Sequence, residues 1–148
     1  MYLSRSLHWQ DHGREMAGVI PGDTHMHPRP VGRGYVTLKA RQDPWGLDPG
    51  RNLHGHEFHH SSLTGLPQDS VFAFDMARGH GIDGQHDGLV IHKLLAGYTH
   101  QRHTADNPWV HRFLAFADGQ KAIDGLTQGS ADADAGKDTS IQTQGFSR

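Results

Sequence analysis

The chain contains no cysteine among its 148 residues. That excludes disulfides, thiolate metal sites and any thiol nucleophile within this polypeptide. Long apolar runs are missing too: none approaches the ~20 residues of a membrane helix, and the N-terminus lacks a signal-peptide pattern. On those grounds the chain reads as cytoplasmic. Neither charge is in surplus, with 14 Lys and Arg against 16 Asp and Glu and a formal net charge of −2. No long block of one sign occurs, so electrostatics gives no case for nucleic acid or an anionic membrane. Hydrophobic residues are scarce, at 34%, and the deficit concentrates from Asp118 onward, where Gly, Ala, Asp, Ser, Thr and Gln dominate. Such a segment cannot offset its ordering entropy by burial. Composition therefore predicts one domain with a modest core over residues 1–117 and a disordered, low-complexity tail over 118–148.

Histidine is the abundant residue, 14 of 148. Imidazoles serve as general bases, metal ligands and plain surface groups, so the number raises a metal question without answering it. Asp23-Thr24-His25-Met26-His27 carries a His-x-His of the kind found in some metal-dependent hydrolases, yet a catalytic metal needs three or more ligands and a second shell. His54, His56, His59 and His60 are further ligand candidates, but strand alternation divides them between two faces. No metal ligand set is assigned, and a metal-dependent hydrolase stays the minor alternative.

Along the chain, Leu3 and Leu7 four apart predict a helix over residues 1–10, though nothing caps its first turn. Residues 15–20 read as a short strand that ends at Pro21-Gly22, and the prolines and glycines of 21–34 predict a long loop. A strand follows over 34–40, then a second loop over 41–51. Residues 52–63 read as a strand with Glu57 and His59 on one face and His56, Phe58 and His60 on the other. Residues 71–78 give another strand, with Phe72, Phe74 and Met76 on one face, and 79–88 a glycine-rich turn. Gly79-His80-Gly81-Ile82-Asp83-Gly84 matches the Gly-x-Gly-x-x-Gly pattern, but no helix opens after it to receive a pyrophosphate, so it reads as a turn. Asn107-Pro108 begins a last helix, with Pro108 at its first position and Phe113, Leu114 and Phe116 on its apolar side.

The stretch from Asp87 to His103 carries the most chemistry. Leu89, Val90, Ile91, Leu94 and Leu95 form a buried strand or the start of a helix; periodicity alone does not separate these. Ala96-Gly97 then lets the backbone turn, and Tyr98-Thr99-His100 delivers an imidazole to the end of a core element, where catalytic groups are commonly found. His100 is thus the candidate catalytic residue. No Gly-x-Ser-x-Gly elbow supplies it with a serine nucleophile. Glu57, with His56 and His59 beside it, is the supporting candidate: either it orients a histidine, or it is a partly buried carboxylate bonded to backbone amides.

Several segments then line up in order: Met16-Ala17-Gly18-Val19-Ile20-Pro21-Gly22, Arg29-Pro30-Val31-Gly32-Arg33-Gly34-Tyr35-Val36, Gly55-His56-Glu57-Phe58-His59-His60-Ser61, Arg78-Gly79-His80-Gly81-Ile82 with Asp87-Gly88, and Leu95-Ala96-Gly97-Tyr98-Thr99-His100. Over roughly residues 1–117 this resembles the C-terminal glutamine amidotransferase domain of cobyrinic acid a,c-diamide synthases, and the related siroheme amidases look similar. The Gly-His-Glu-Phe-His segment is the most specific part. The resemblance implies an α/β fold, the C-terminal half of a class I glutamine amidotransferase-like (flavodoxin-like) three-layer domain with helices on both faces of its sheet.

In that family a cysteine attacks the glutamine carboxamide and a histidine activates the thiol; the histidine of the Ser-Tyr-x-His segment maps onto His100. Ammonia then passes to a tetrapyrrole carboxylate that ATP and Mg2+ activate in a separate N-terminal P-loop domain. No Gly-x-x-x-x-Gly-Lys-Ser/Thr occurs here, so no cofactor is expected on this chain. Gly97 stands where serine is usual and His60 where tyrosine is usual. The family's cysteine lies on a Cys-Gly-Gly turn just before a segment like Met1-Tyr2-Leu3, so the expectation is a fragment that starts after its nucleophile and is inactive alone. Glutamine and a tetrapyrrole are its implied partners through the whole enzyme, with a separately encoded N-terminal half as a further one. A non-catalytic assembly subunit is the alternative from another class.

Overall fold

The computed structural model describes residues 1–41 and 46–120. The strands, in chain order, are β1 (Ser4–Trp9), β2 (His12–Glu15), β3 (Ile20–Met26), β4 (Gly32–Ala40), β5 (Asn52–His59), β6 (Ser61–Thr64), β7 (Val71–Arg78), β8 (His86–Ile91), β9 (Leu94–Ala96) and β10 (His100–Gln101). Residues 109–120 form a helix, α1. The strands make a four-stranded sheet in the order β2-β1-β3-β6 and a six-stranded sheet in the order β10-β5-β4-β7-β8-β9. Among the described residues only β1 and β3 run parallel; the other pairs are antiparallel.

Three expectations are corrected. The strand expected over 15–20 is absent, since residues 16–19 only connect Glu15, the end of β2, to Ile20, the start of β3. Residues 1–10 hold β1, not a helix: Leu3 and Leu7 suit either period, and pairing to β2 and β3 decides for the strand. Nor is 21–34 a continuous loop, since β3 runs through Pro21 and Gly22 and β4 begins at Gly32. Proline is excluded from a regular central strand because it cannot donate to the ladder. Here the β1–β3 register shifts between Ser4 and Ser6, and the β3–β6 pairing begins only at Asp23. Pro21 therefore occupies a bulge, where no ladder bond is required of it.

The strands expected at 34–40, 52–63 and 71–78 are present, the second divided at His60 into β5 and β6. The ambiguous apolar run is β8 and β9. Its continuous hydrophobicity comes from burial on both faces. Leu89 packs with Ile20 and Ile82, supported by Leu3, Leu63, Phe72 and Tyr98, which seats the smaller sheet on the larger one. Val90 and Leu95 pack instead against a cluster of Leu38, Leu53, Ala73 and Phe74. Leu38 and Leu89 are essentially inaccessible, each worth about 1.5–3 kcal/mol by burial.

The chain divides into two compact units, Met1–Trp109 and Val110–Arg148. Of the second, α1 is described. It begins at Trp109, one residue after the Pro108 expected at its first position, and Phe113 and Leu114 are exposed on it. The expectation for the tail over 118–148 lies, from residue 121 on, outside the described residues.

Candidate active site

His100 lies on β10 directly opposite His56 of β5, with Gln101 opposite Gly55. Opposed residues of an antiparallel pair share a face, and the two imidazoles meet edge-on with ring centroids 6.4 Å apart. Tyr35 of β4, opposite His56, adds a ring 6.0 Å from it. All three side chains are exposed. They border a cleft of about 310 Å³ whose walls include Asn52, His54 and Arg102, a volume at the low end for small-molecule sites.

A two-residue strand does not fix a side chain by itself, so β10 depends on its surroundings. Gly55 is one of them. A Cβ there would stand 2.4 Å from the Thr99 Cγ2 and 2.9 Å from the His100 carbonyl oxygen, so glycine is what lets β10 approach β5. Gly55→Ala is expected to push β10 outward and to abolish the His56–His100 ring contact, seen as loss of the corresponding proton cross-peaks by NMR. Persistence of those cross-peaks would contradict this role for Gly55.

Glu57 and His59 occupy the opposite, buried face of β5. The Glu57 carboxylate, 2% exposed, accepts the His80 amide at 2.8 Å on Oε1 and the Gly81 amide at 2.9 Å on Oε2. Its nearest imidazole nitrogen, His59 Nε2, is 3.6 Å away, beyond hydrogen-bond range. Of the two roles open to Glu57, the geometry has the amide-bonded one, and it brings Glu57 to neither His56 nor His100. His59 Nδ1 donates to the Ser61 carbonyl at 2.8 Å, and its ring stacks on Tyr98 at 3.8 Å. The Tyr98 hydroxyl meets Ser61 Oγ at 2.9 Å.

Burial holds the Tyr98 phenol above its ordinary pKa; the Ser61 hydrogen bond opposes this, and the negative charge of Asp87 adds to it. A raised folded-state value means that the folded protein resists losing this proton. The associated stability is complete below the unfolded value of about 10 and disappears as pH rises through the folded one. Urea midpoints should accordingly fall above about pH 10, and Tyr98→Phe should flatten that decline. An equally steep decline in the phenylalanine variant would exclude Tyr98 as its source.

The other histidine cluster does not converge on a metal. His25 stacks on His8 with centroids 4.7 Å apart, and His27 Nε2 contacts Ser62 Oγ at 2.8 Å. Asp23 is held by Arg5 and by Ser6 Oγ at 2.6 Å. These hydrogen bonds, the Arg5 bond foremost, keep its carboxyl well below the usual range. Among the described residues no group of three or more His, Asp or Glu is arranged to hold a metal ion, and no helix is long and apolar enough to cross a membrane.

Sequence reasoning singled out His100, His56, Glu57 and His59; the structure brings His100 to His56 on the exposed face of β5 and Glu57 close to His59 on the buried one, as two separate pairs. It missed Gly55, Tyr98 and Asp87. Asp87-Gly88 carried a turn signal, whereas Asp87 is a buried strand residue whose partners lie 11 and 12 residues further on.

A family model described as a CobB/CobQ-like glutamine amidotransferase domain matches residues 1–108. The cobyrinate a,c-diamide synthase of Haloarcula marismortui is 46% identical over 101 residues, 68% of this chain and 23% of that protein. The synthase of Magnetococcus marinus is 38% identical over 102 residues, 68% of this chain and 21% of that protein. That of Archaeoglobus fulgidus is 34% identical over 114 residues, 77% and 25% of the two chains. The chain thus spans about a quarter or less of the length of these relatives. A GMP synthase subunit from Thermoplasma acidophilum superposes with a TM-score of 0.50 at 16% identity, covering 71% of this chain and 53% of that one. This likeness carries the fold alone, mixed α/β.

Proposed function

Because the chain belongs to the CobB/CobQ-like glutamine amidotransferase domain family, we propose that it supplies the base of a cysteine–histidine glutaminase site, with His100 as that base. The nucleophile comes from outside these 148 residues, which contain no cysteine. The thiol gives its proton to the His100 imidazole, and the thiolate sulfur bonds to the glutamine carboxamide carbon. The imidazolium then returns the proton to the departing nitrogen, which leaves as ammonia. Water, deprotonated by His100, hydrolyses the thioester to glutamate and regenerates the thiol. In the whole enzyme the ammonia amidates a tetrapyrrole carboxylate, cobyrinate by the names of the relatives, in a cytoplasmic setting. A siroheme amidase-like substrate is the second reading within the family.

What supports the assignment is the position of His100: exposed at the rim of the small cleft, on a strand that the family match includes. The glycine-rich turn does not fit the phosphates of ATP. The glycine-rich turn at 79–84 has the amides of His80 and Gly81 already bonded to the Glu57 carboxylate, so a phosphate would meet a negative charge there. The proton transfers at His100 involve no nucleotide.

The test is reconstitution: the chain is mixed or co-expressed with a polypeptide bearing the Cys-Gly-Gly turn of a relative, and glutamate release is measured. Hydrolysis by the pair and by neither part alone is the expected result. Hydrolysis by the purified chain alone overturns the proposal. Restored hydrolysis that persists in His100→Ala would instead make the chain a non-catalytic assembly subunit.

A further inference from the structure

Asp87 takes no part in the proton transfers above, yet it is among the most buried side chains, 1% exposed. Both of its carboxylate oxygens are used. Oδ1 accepts the Tyr98 amide at 3.0 Å and Oδ2 the Thr99 amide at 2.9 Å. Among the described residues no cation pairs with it, so the charge is met by these backbone dipoles. A buried carboxylate is costly unless satisfied, and this one is satisfied by the two residues that immediately precede His100.

We infer that Asp87 is the positioning residue of the His100 imidazole, acting through the backbone of residues 98 and 99. The inference rests on the reading of His100 as the base. β10 contributes only two residue pairs to the sheet, too few to hold its orientation. The Asp87 carboxylate, on the rigid and doubly buried β8, fixes the backbone one residue before His100. Tyr98 is fixed besides by its stack on His59 and its bond to Ser61, and the Thr99 methyl closes over Gly55. Gly97 belongs to the same device: a Cβ there would stand 2.8 Å from Asp87 Oδ1, so the absence of a side chain admits the carboxylate to the two amides. The imidazole is thereby held toward His56 and the cleft before any ligand arrives, as preorganised catalysis requires.

The experiment is NMR on the isotopically labelled 148-residue chain. In the unmodified protein the Tyr98 and Thr99 amides should exchange with solvent as slowly as neighbouring β5 amides, and the His56 and His100 rings should show mutual cross-peaks. Rapid exchange of both amides overturns the inference without any variant. Asp87→Asn should speed exchange at Tyr98 and Thr99 by about ten-fold or more, the size of one charge-assisted bond. It should also weaken the His56–His100 cross-peaks, with exchange of the Val36 and Leu38 amides unchanged. If Asp87→Asn fails to fold, Gly97→Ala, which crowds the carboxylate without removing it, is read the same way. Faster exchange with unaltered ring cross-peaks makes Asp87 a loop anchor only and overturns the inference. The base assignment fails separately, through full reconstituted hydrolysis by His100→Ala, and that outcome leaves the ring measurement intact.

Discussion

Alanine at His100 is expected to lower glutamine hydrolysis in the reconstituted pair by about 10²–10⁴-fold, the span typical of a positioned general base. The loss should fall on kcat, with KM for glutamine changed far less. An imidazole that moves protons in the transition state adds little to ground-state binding. The fold should survive, because His100 is exposed and its ring makes one edge-on contact, with His56. His56→Ala serves as the comparison. It removes the same ring contact but not the base, so its effect should be much smaller. Equal losses in the two variants would mean that the imidazole pair acts as a unit. A loss confined to KM would move His100 from proton transfer to substrate binding. Urea midpoints measured beside the kinetics separate either outcome from simple unfolding.

How much of this was legible in the sequence depended on where each element's partners lie. β4 and β5 were readable because each alternates between a buried and an exposed face, and a period of two is a local signal. β7 was readable from Phe72, Phe74 and Met76 at the same spacing, although its burial does not alternate. The facing of Glu57 and His59 against His56 and Phe58 followed from the same alternation. β1 and β3 were not readable. The spacing of Leu3 and Leu7 suits a helix equally well, and Pro21-Gly22 reads as a breaker unless the shifted register between Ser4 and Ser6 is known. β1 is settled by pairing to β3 together with a local hairpin to β2. β3 is settled by its long-range pairing to β6, which leaves no trace in a window of ten residues. The same limit explains the site. The Ala96-Gly97 break pointed to His100 locally, whereas the hold of Asp87 on Tyr98 and Thr99 crosses the β8–β9 hairpin. The room that Gly55 gives Thr99 is a contact across 44 positions of the chain, and a glycine inside a strand announces only that something comes close.

The second large effect is expected at Glu57, and it is one of stability. Glu57→Ala should cost about 3–5 kcal/mol, since it removes two charge-assisted bonds and strands the His80 and Gly81 amides. Both amides belong to a turn held against β4, where Gly79 packs on Val36. Glu57→Gln is the informative companion. Its carbonyl oxygen accepts one amide while its NH₂ group faces the other donor, so an intermediate loss is expected, readable as the shift in urea midpoint at constant m. A Glu57 that served instead to orient His59 would behave in the opposite way. Glutamine would leave stability nearly intact and alter the pH dependence of hydrolysis, because a charge near an imidazole matters through its protonation. The 3.6 Å gap to His59 Nε2, against 2.8 and 2.9 Å to the two amides, favours the first outcome. A loss below about 1 kcal/mol in Glu57→Ala, no more than a neutral hydrogen bond contributes, would mean that the turn does not need the carboxylate. The most specific segment of the chain would then have its glutamate there for chemistry rather than for architecture.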